Sequence, residues 1–200
     1  MPITTSYAAN ASLAQRQEAI AARMRLELDS LARCGVRIEG NGFSPIVLVK
    51  GLLNAPERGD GKLLAGADGA ALRAALTRLG WAPEHFCAVS AVAGVGDGHR
   101  PLPGEMLPAA LFRETLETLD CECIVLLDDI ATSAMRDAYA TELASKERFE
   151  AAMLRPGIVT RVLGRRVMAL DGFEAALGDP AQKQRMWAYL KQLKPLRSPW

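Results

Sequence analysis

Two adjacent carboxylates, Asp128 and Asp129, follow directly on the apolar run Cys123-Ile124-Val125-Leu126-Leu127. Such a pair at the end of a strand suits a divalent cation or a general base. It equally suits a cap for a helix starting at Ile130, where a carboxylate accepts from free amides and meets the positive end of the dipole. A second run, Pro45 to Val49, ends in Lys50, Gly51 and Asn54, and leads into a glycine-rich stretch from Gly59 to Gly69 that contains Asp60, Gly61 and Gly66. Backbone amides of such a stretch can approach a phosphate, although glycines also serve tight turns and neither GKS/T nor GxGxxG is present. Gly172-Phe173-Glu174 offers an aromatic that could stack on a base, or pack in a core, beside a carboxylate. Arg161, Arg165 and Arg166, with Lys191, Lys194 and Arg197, form the basic clusters, suited to a nucleic-acid backbone or to plain solvation. His99 lies in a loop, and the sequence supplies no partner for it.

The elements that must hold these residues alternate. Ser12 opens a helical spacing of Leu13, Ile20, Met24, Leu28 and Leu31 that stops near Gly35. Asn41-Gly42 is a turn signal, and residues 45–49 read as a strand buried on both faces. A helix over 70–79, a strand over 85–92, a long loop over 93–104, a helix over 107–119 and the strand over 123–127 follow. Residues 130–154 are helical and rather polar as far as Pro156-Gly157. Then come residues 158–162 and 166–170, either a hairpin or one strand with its approach, and a final helix over 181–193 opened by Asp179-Pro180. Strand, helix, strand alternation means a parallel sheet, and ligands of open parallel sheets bind beyond the carboxyl ends of the strands. That rule nominates 50–69, 90–100, 128–129 and 171–174.

The order of these segments resembles the iron–sulfur-type uracil-DNA glycosylases. VLVKGLLNAPERGDGKLLAGADGAAL is similar to that family's first signature, a strand, then GEAPG, an acidic linker and GxPFVGxAGxLL, with Gly61, Gly66 and Gly69 on the later glycines and Leu72 on the first helix. HFCAVSAV resembles the second strand, and LFRETLETLDCECIVLLDDIATSAM the helix and strand written PFLxxxLxLLxPKVIVxLGxxA. RVMALDGFEAALGDPAQKQRMWAYLKQLK resembles the closing strand, HPS turn and last helix, with Asp179-Pro180 on the usual Asn-Pro and Trp187 on the usual Trp. The resemblance spans roughly residues 44–194. It implies a three-layer α/β/α domain with a central, mostly parallel four-stranded sheet over residues 41–195, behind a helical extension of 1–40 and ahead of a tail of 196–200.

Its departures fall on the chemistry. KGLLN (Lys50 to Asn54) stands where GEAPG carries the carboxylate that positions water. Ser90 stands where the family's uracil-reading asparagine would be, and a hydroxyl cannot give a bidentate amide readout. Gly172-Phe173-Glu174 stands on the HPS turn, so the histidine is missing, and a carboxylate there repels an anionic leaving group. The cysteines, Cys34, Cys87, Cys121 and Cys123, do not match the cluster-binding pattern, so neither an iron–sulfur cluster nor any other metal or cofactor is expected. The resemblance thus implies a DNA-repair-like relative without uracil excision. It would bind a nucleobase, nucleotide or DNA through Lys50, Gly51, Asn54, Gly61, Gly66, Ser90 and Gly172 to Glu174. The alternatives are an active glycosylase or nucleosidase of altered specificity using Asp60, Asp128 or Asp129, and a non-catalytic module whose N-terminal helix or tail binds a protein partner.

Composition sets the outer bounds. The chain has 200 residues, half of them apolar, enough for one substantial core. Lys plus Arg number 24 against 23 Asp plus Glu, so no global field draws the chain to a polyanion or a membrane surface. With no leader pattern and no long apolar run, the sequence reads as cytoplasmic.

Overall fold

The computed structural model describes residues 4–58, 61–82, 86–98 and 100–195, with side chains from residue 15 onward. It shows an α/β chain built on one six-stranded mixed sheet of order β1-β3-β2-β4-β6-β5. The strands are β1 (Ile38–Gly40), β2 (Ile46–Lys50), β3 (Phe86–Ser90), β4 (Cys123–Leu126), β5 (Val159–Val162) and β6 (Arg165–Ala169). The inner four, β3, β2, β4 and β6, are mutually parallel, and β1 and β5 join the two edges antiparallel. The expected sheet of four strands is therefore corrected to six. Residues 38–40, placed by the sequence in the extension, pair with β3, and residues 158–170 fold as a true hairpin.

Continuous apolar runs make β2, β3 and β4 the centre, because a parallel strand covered on both sides has no face for a polar residue. All residues of the three are buried. Side chains alternate across the pleat, so Val47, Val49, Ile124, Leu126 and Val167 face one apolar cluster while Ile46, Leu48, Val125 and Met168 face another. The first cluster is closed by the long helix α1 (Thr4–Arg33) through Leu31, by α4 (Ala109–Leu119) through Phe112 and Leu116, and by α5 (Asp129–Ala138) and α6 (Ala140–Ala144) through Met135 and Leu143. The second is closed by α3 (Ala67–Arg78), α8 (Phe173–Ala176) and α9 (Pro180–Leu190), with Leu72, Leu76, Phe173 and Met186. Two short helices, α2 (Ala55–Arg58) and α7 (Phe149–Ala152), and a 3-10 turn, Lys191–Leu193, are also present.

The polar stretch 130–154 is three helices, since Tyr139 leaves helical geometry (φ −123°, ψ 32°) and residues 146–148 form no helix. α1 starts eight residues earlier than Ser12, and its exposed Ile20 and Leu26 lie off the stripe that docks on the body. Among the described residues no helix is long and apolar enough to cross a membrane.

The register brings four strand ends to one edge. Lys50 pairs with Ser90, Val49 with Leu126, and Leu126 with Ala169. Whatever follows Lys50, Ser90, Leu126 and Ala169 in sequence therefore converges beyond the carboxyl end of the sheet.

Candidate functional site

Lys50 closes β2 and is 2% exposed, so its charge must be matched inside the protein. Its Nζ lies 2.6 Å from Asp68 Oδ2, 2.7 Å from Glu57 Oε2 and 2.8 Å from Glu174 Oε2. Glu57 and Asp68 are as buried as the lysine, whereas the Glu174 side chain is 48% exposed. Burial pulls the Lys50 pKa down, but hydrogen bonds to Asp68, Glu174 and Glu57 outweigh it and raise the pKa above the ordinary lysine value. The carboxylates thus favour the charged ammonium.

Each partner is held by its own local structure. Asn54 and Glu57 form a reciprocal cap around α2: Glu57 N donates to Asn54 Oδ1 and Asn54 N donates to Glu57 Oε2. Glu57 Oε1 also accepts from Leu64 N at 2.8 Å, and the Arg37 guanidinium donates to Glu57 O and Gly61 O, which ties down the returning loop. Asp68 sits in the first turn of α3, where a carboxylate favours the helix, and its Oδ1 has no hydrogen-bond partner among the described residues. Glu174 comes from α8, whose entry residue Gly172 has φ +72°, a left-handed conformation that a side chain would strain. Oxygens of Glu57, Asp68 and Glu174 lie within 4.8 Å of one another, a spacing that would suit a cation. The Lys50 ammonium already stands among them, so an ion could enter only by displacing it.

Asp128 is the N-cap of α5, accepting from Ala131 N at 2.9 Å through Oδ1, while Oδ2 accepts from Gly51 N at 2.8 Å and Leu52 N at 2.9 Å. A Cβ on Gly51 would stand 2.5 Å from the Ile130 side chain, so only glycine lets this loop reach the cap. With three donors on a side chain 3% exposed, Asp128 is a clasp between strand ends. Asp129 beside it is exposed.

Lys50, Leu52, Asp68, Leu127, Asp128 and residues 172–175 line a pocket of about 310 Å³. An adjoining pocket of about 510 Å³ shares Gly172 and is lined by Asp129, Thr132, Arg136, Phe149, residues 153–156, Leu170 and Asp171.

The remaining nominated residues fall as follows. Ser90 is fully buried, donating to Val92 O and accepting from Val92 N in a local turn. Gly61 N donates to Pro56 O, and Gly66 is the N-cap position of α3. Asp60 and His99 lie outside the described residues. Arg161, Arg165 and Arg166 sit at the β5–β6 hairpin, at the amino end of β6 and so at the opposite end of the sheet from the pockets. There Arg165 pairs with Asp120, and buried Arg166 pairs with Glu122, donates to Lys194 O and stacks over Trp81. Glu57 and Asp68 are the site residues the sequence reading missed. The first had a signal in the Asn54-x-x-Glu57 spacing, and the second only in the need of a buried lysine for partners.

Burial pushes the thiols of Cys87 and Cys123 up to about 12 and that of Cys121 to about 11, while Cys34 is exposed. Reaction of the native chain with a thiol reagent at mild alkaline pH is therefore expected to modify Cys34 alone, and all four cysteines only after unfolding. Fast labelling of a second thiol, read by mass spectrometry, would contradict this packing.

No protein-family model matches the chain, and no curated protein is significantly similar to it.

Proposed function

We propose that the chain is a divergent relative of the uracil-DNA glycosylases that binds a nucleobase, nucleotide or DNA strand in the cleft beyond β2, β4 and β6, and that it does not excise uracil. The observation that carries this reading is the pocket of about 310 Å³ at the carboxyl ends of β2, β4 and β6, where Lys50 and Asp128 are committed to holding structure. Asp128 is saturated by three backbone amides, Ser90 bonds its own turn, and carboxylates favour the charged form of Lys50. Excision needs a group that positions water and another that stabilises the departing base anion. Glu174 at the pocket wall is the wrong charge for the second task. Apolar walls from Leu52, Leu127 and Phe173 support the binding of a flat, largely apolar ligand. The resemblance in segment order supplies the ligand class.

The test is a paired assay of binding and base release with single- and double-stranded oligonucleotides carrying uracil, hypoxanthine or an abasic site. The expected result is tighter binding of strands that carry a base than of abasic strands, with no base released. Release of any base above a blank revives the hydrolase reading and directs mutagenesis to Asp60 and Asp129. Equal binding of intact and abasic strands overturns the pocket as a base receptor.

A further inference from the structure

Most arginines of the body are engaged. Arg37, Arg73, Arg113, Arg165, Arg166 and Arg185 all donate to carbonyls or carboxylates. The side chains of Arg136 and Arg155, like those of Arg58, Arg78 and Arg148, make no hydrogen bond or ion pair among the described residues, but these two share one pocket, the one of about 510 Å³ that shares Gly172 with the first. Phe149, 65% exposed, forms part of the same wall. A guanidinium presents a planar fork of donors that fits two oxygens of a phosphate. An uncovered aromatic ring offers a stacking surface to any base.

Resting on the base-binding reading above, we infer that this second pocket is the strand-binding half of the cleft. Arg136 and Arg155 take the phosphodiester of a single-stranded nucleic acid, and Phe149 stacks on the base next to the one held in the first pocket. A single strand suits it better than a duplex, because a duplex must first flip the base out of its stack and pay for the lost stacking and pairing. Asp129 belongs to the same pocket and lies seven residues before Arg136, on the same face of α5. Its carboxylate opposes the strand's charge and limits how closely the phosphate approaches α5. Asp171 also faces the pocket but is paired with Arg185 at 3.4 Å.

The experiment is fluorescence anisotropy of a short labelled single-stranded DNA across a salt series, on the full chain and on Arg136→Gln, Arg155→Gln, Asp129→Asn and Arg161→Gln. Each of the first two is expected to weaken binding several-fold and to flatten the slope of log affinity against log salt by about 0.7, the single-strand value for one phosphate. Asp129→Asn is expected to tighten binding, a sign that a merely damaged fold would not give. Arg161→Gln, at the far end of the sheet, is expected to change neither quantity. Binding by the native chain that survives both arginine changes with its slope intact overturns the strand site while leaving the base pocket standing. No binding of any single strand by the native chain overturns the strand site together with DNA as the ligand of the base pocket.

Discussion

Lys50→Met is expected to cost about 3–5 kcal/mol of stability, the usual penalty for leaving buried charges without their partner. For a chain of this size that is a fall in Tm of roughly 6–20 °C. The penalty falls mainly on Glu57 and Asp68, which are 1% and 3% exposed and cannot turn to water, whereas Glu174 at 48% side-chain exposure can. The lysine is one positive charge against three negative ones, so its loss raises the local imbalance and empties the centre of the cluster. Adding Asp68→Asn to Lys50→Met is expected to recover part of the loss, because the neutral amide no longer needs the ammonium. Thermal and denaturant unfolding of the single and double variants check this. A loss below about 1 kcal/mol for Lys50→Met would mean that the carboxylates find other partners and that Lys50 is not the hub.

The second large effect is at Asp128. Asp128→Ala is expected to destabilise the chain by about 3 kcal/mol, since it removes a helix cap and two further amide acceptors together. Asp128→Asn keeps one acceptor oxygen and turns an NH₂ group toward donors, so it is expected to fall between native and alanine. Both variants should also weaken oligonucleotide binding, because Leu52 is a wall of the pocket and its position depends on the clasp. If Asp128→Asn kept native stability while changing only activity toward a nucleic acid, the clasp would be secondary and the carboxylate would belong to a reaction.

The legible parts of the chain were those that local physics decides. Cys123 to Leu127 could hardly be anything but a buried strand, and Asp128 before a helix had a cap's chemistry whatever else it did. Asp179-Pro180 marked the start of α9 because proline suits a first helical turn. β1 was not legible: three half-polar residues carry no period, and only the exposed flank of β3 makes them a strand. The break at Tyr139 was hidden for a related reason, as the ring is buried at 1% by tertiary packing that no local pattern announces. For the site, strand ends could be read and partners could not. Lys50 was visible at the end of an apolar run, but its contacts to Asp68 and Glu174 cross 18 and 124 positions of chain. The basic residues show the same limit from the other side: Arg161, Arg165 and Arg166 stand out by clustering, yet strand direction puts them away from the pockets, while Arg136 and Arg155, far apart in sequence, share one.

The separation of 124 residues between Lys50 and Glu174 also has a meaning in time. Ribosomes add roughly 5–20 residues each second, so Lys50 is made roughly 6–25 s before Glu174. Gly51 and Leu52 likewise precede their clasp, Asp128, by 77 and 76 positions. In the nascent chain, β2 and its ammonium wait without a neighbouring parallel strand until β3 emerges, and the cleft is finished only when α8 arrives. A pause in translation after β4 has emerged from the ribosome and before α8 has done so would hold the chain with its sheet centre paired and its pocket unwalled, the interval in which a chaperone or a ligand would find the site most open.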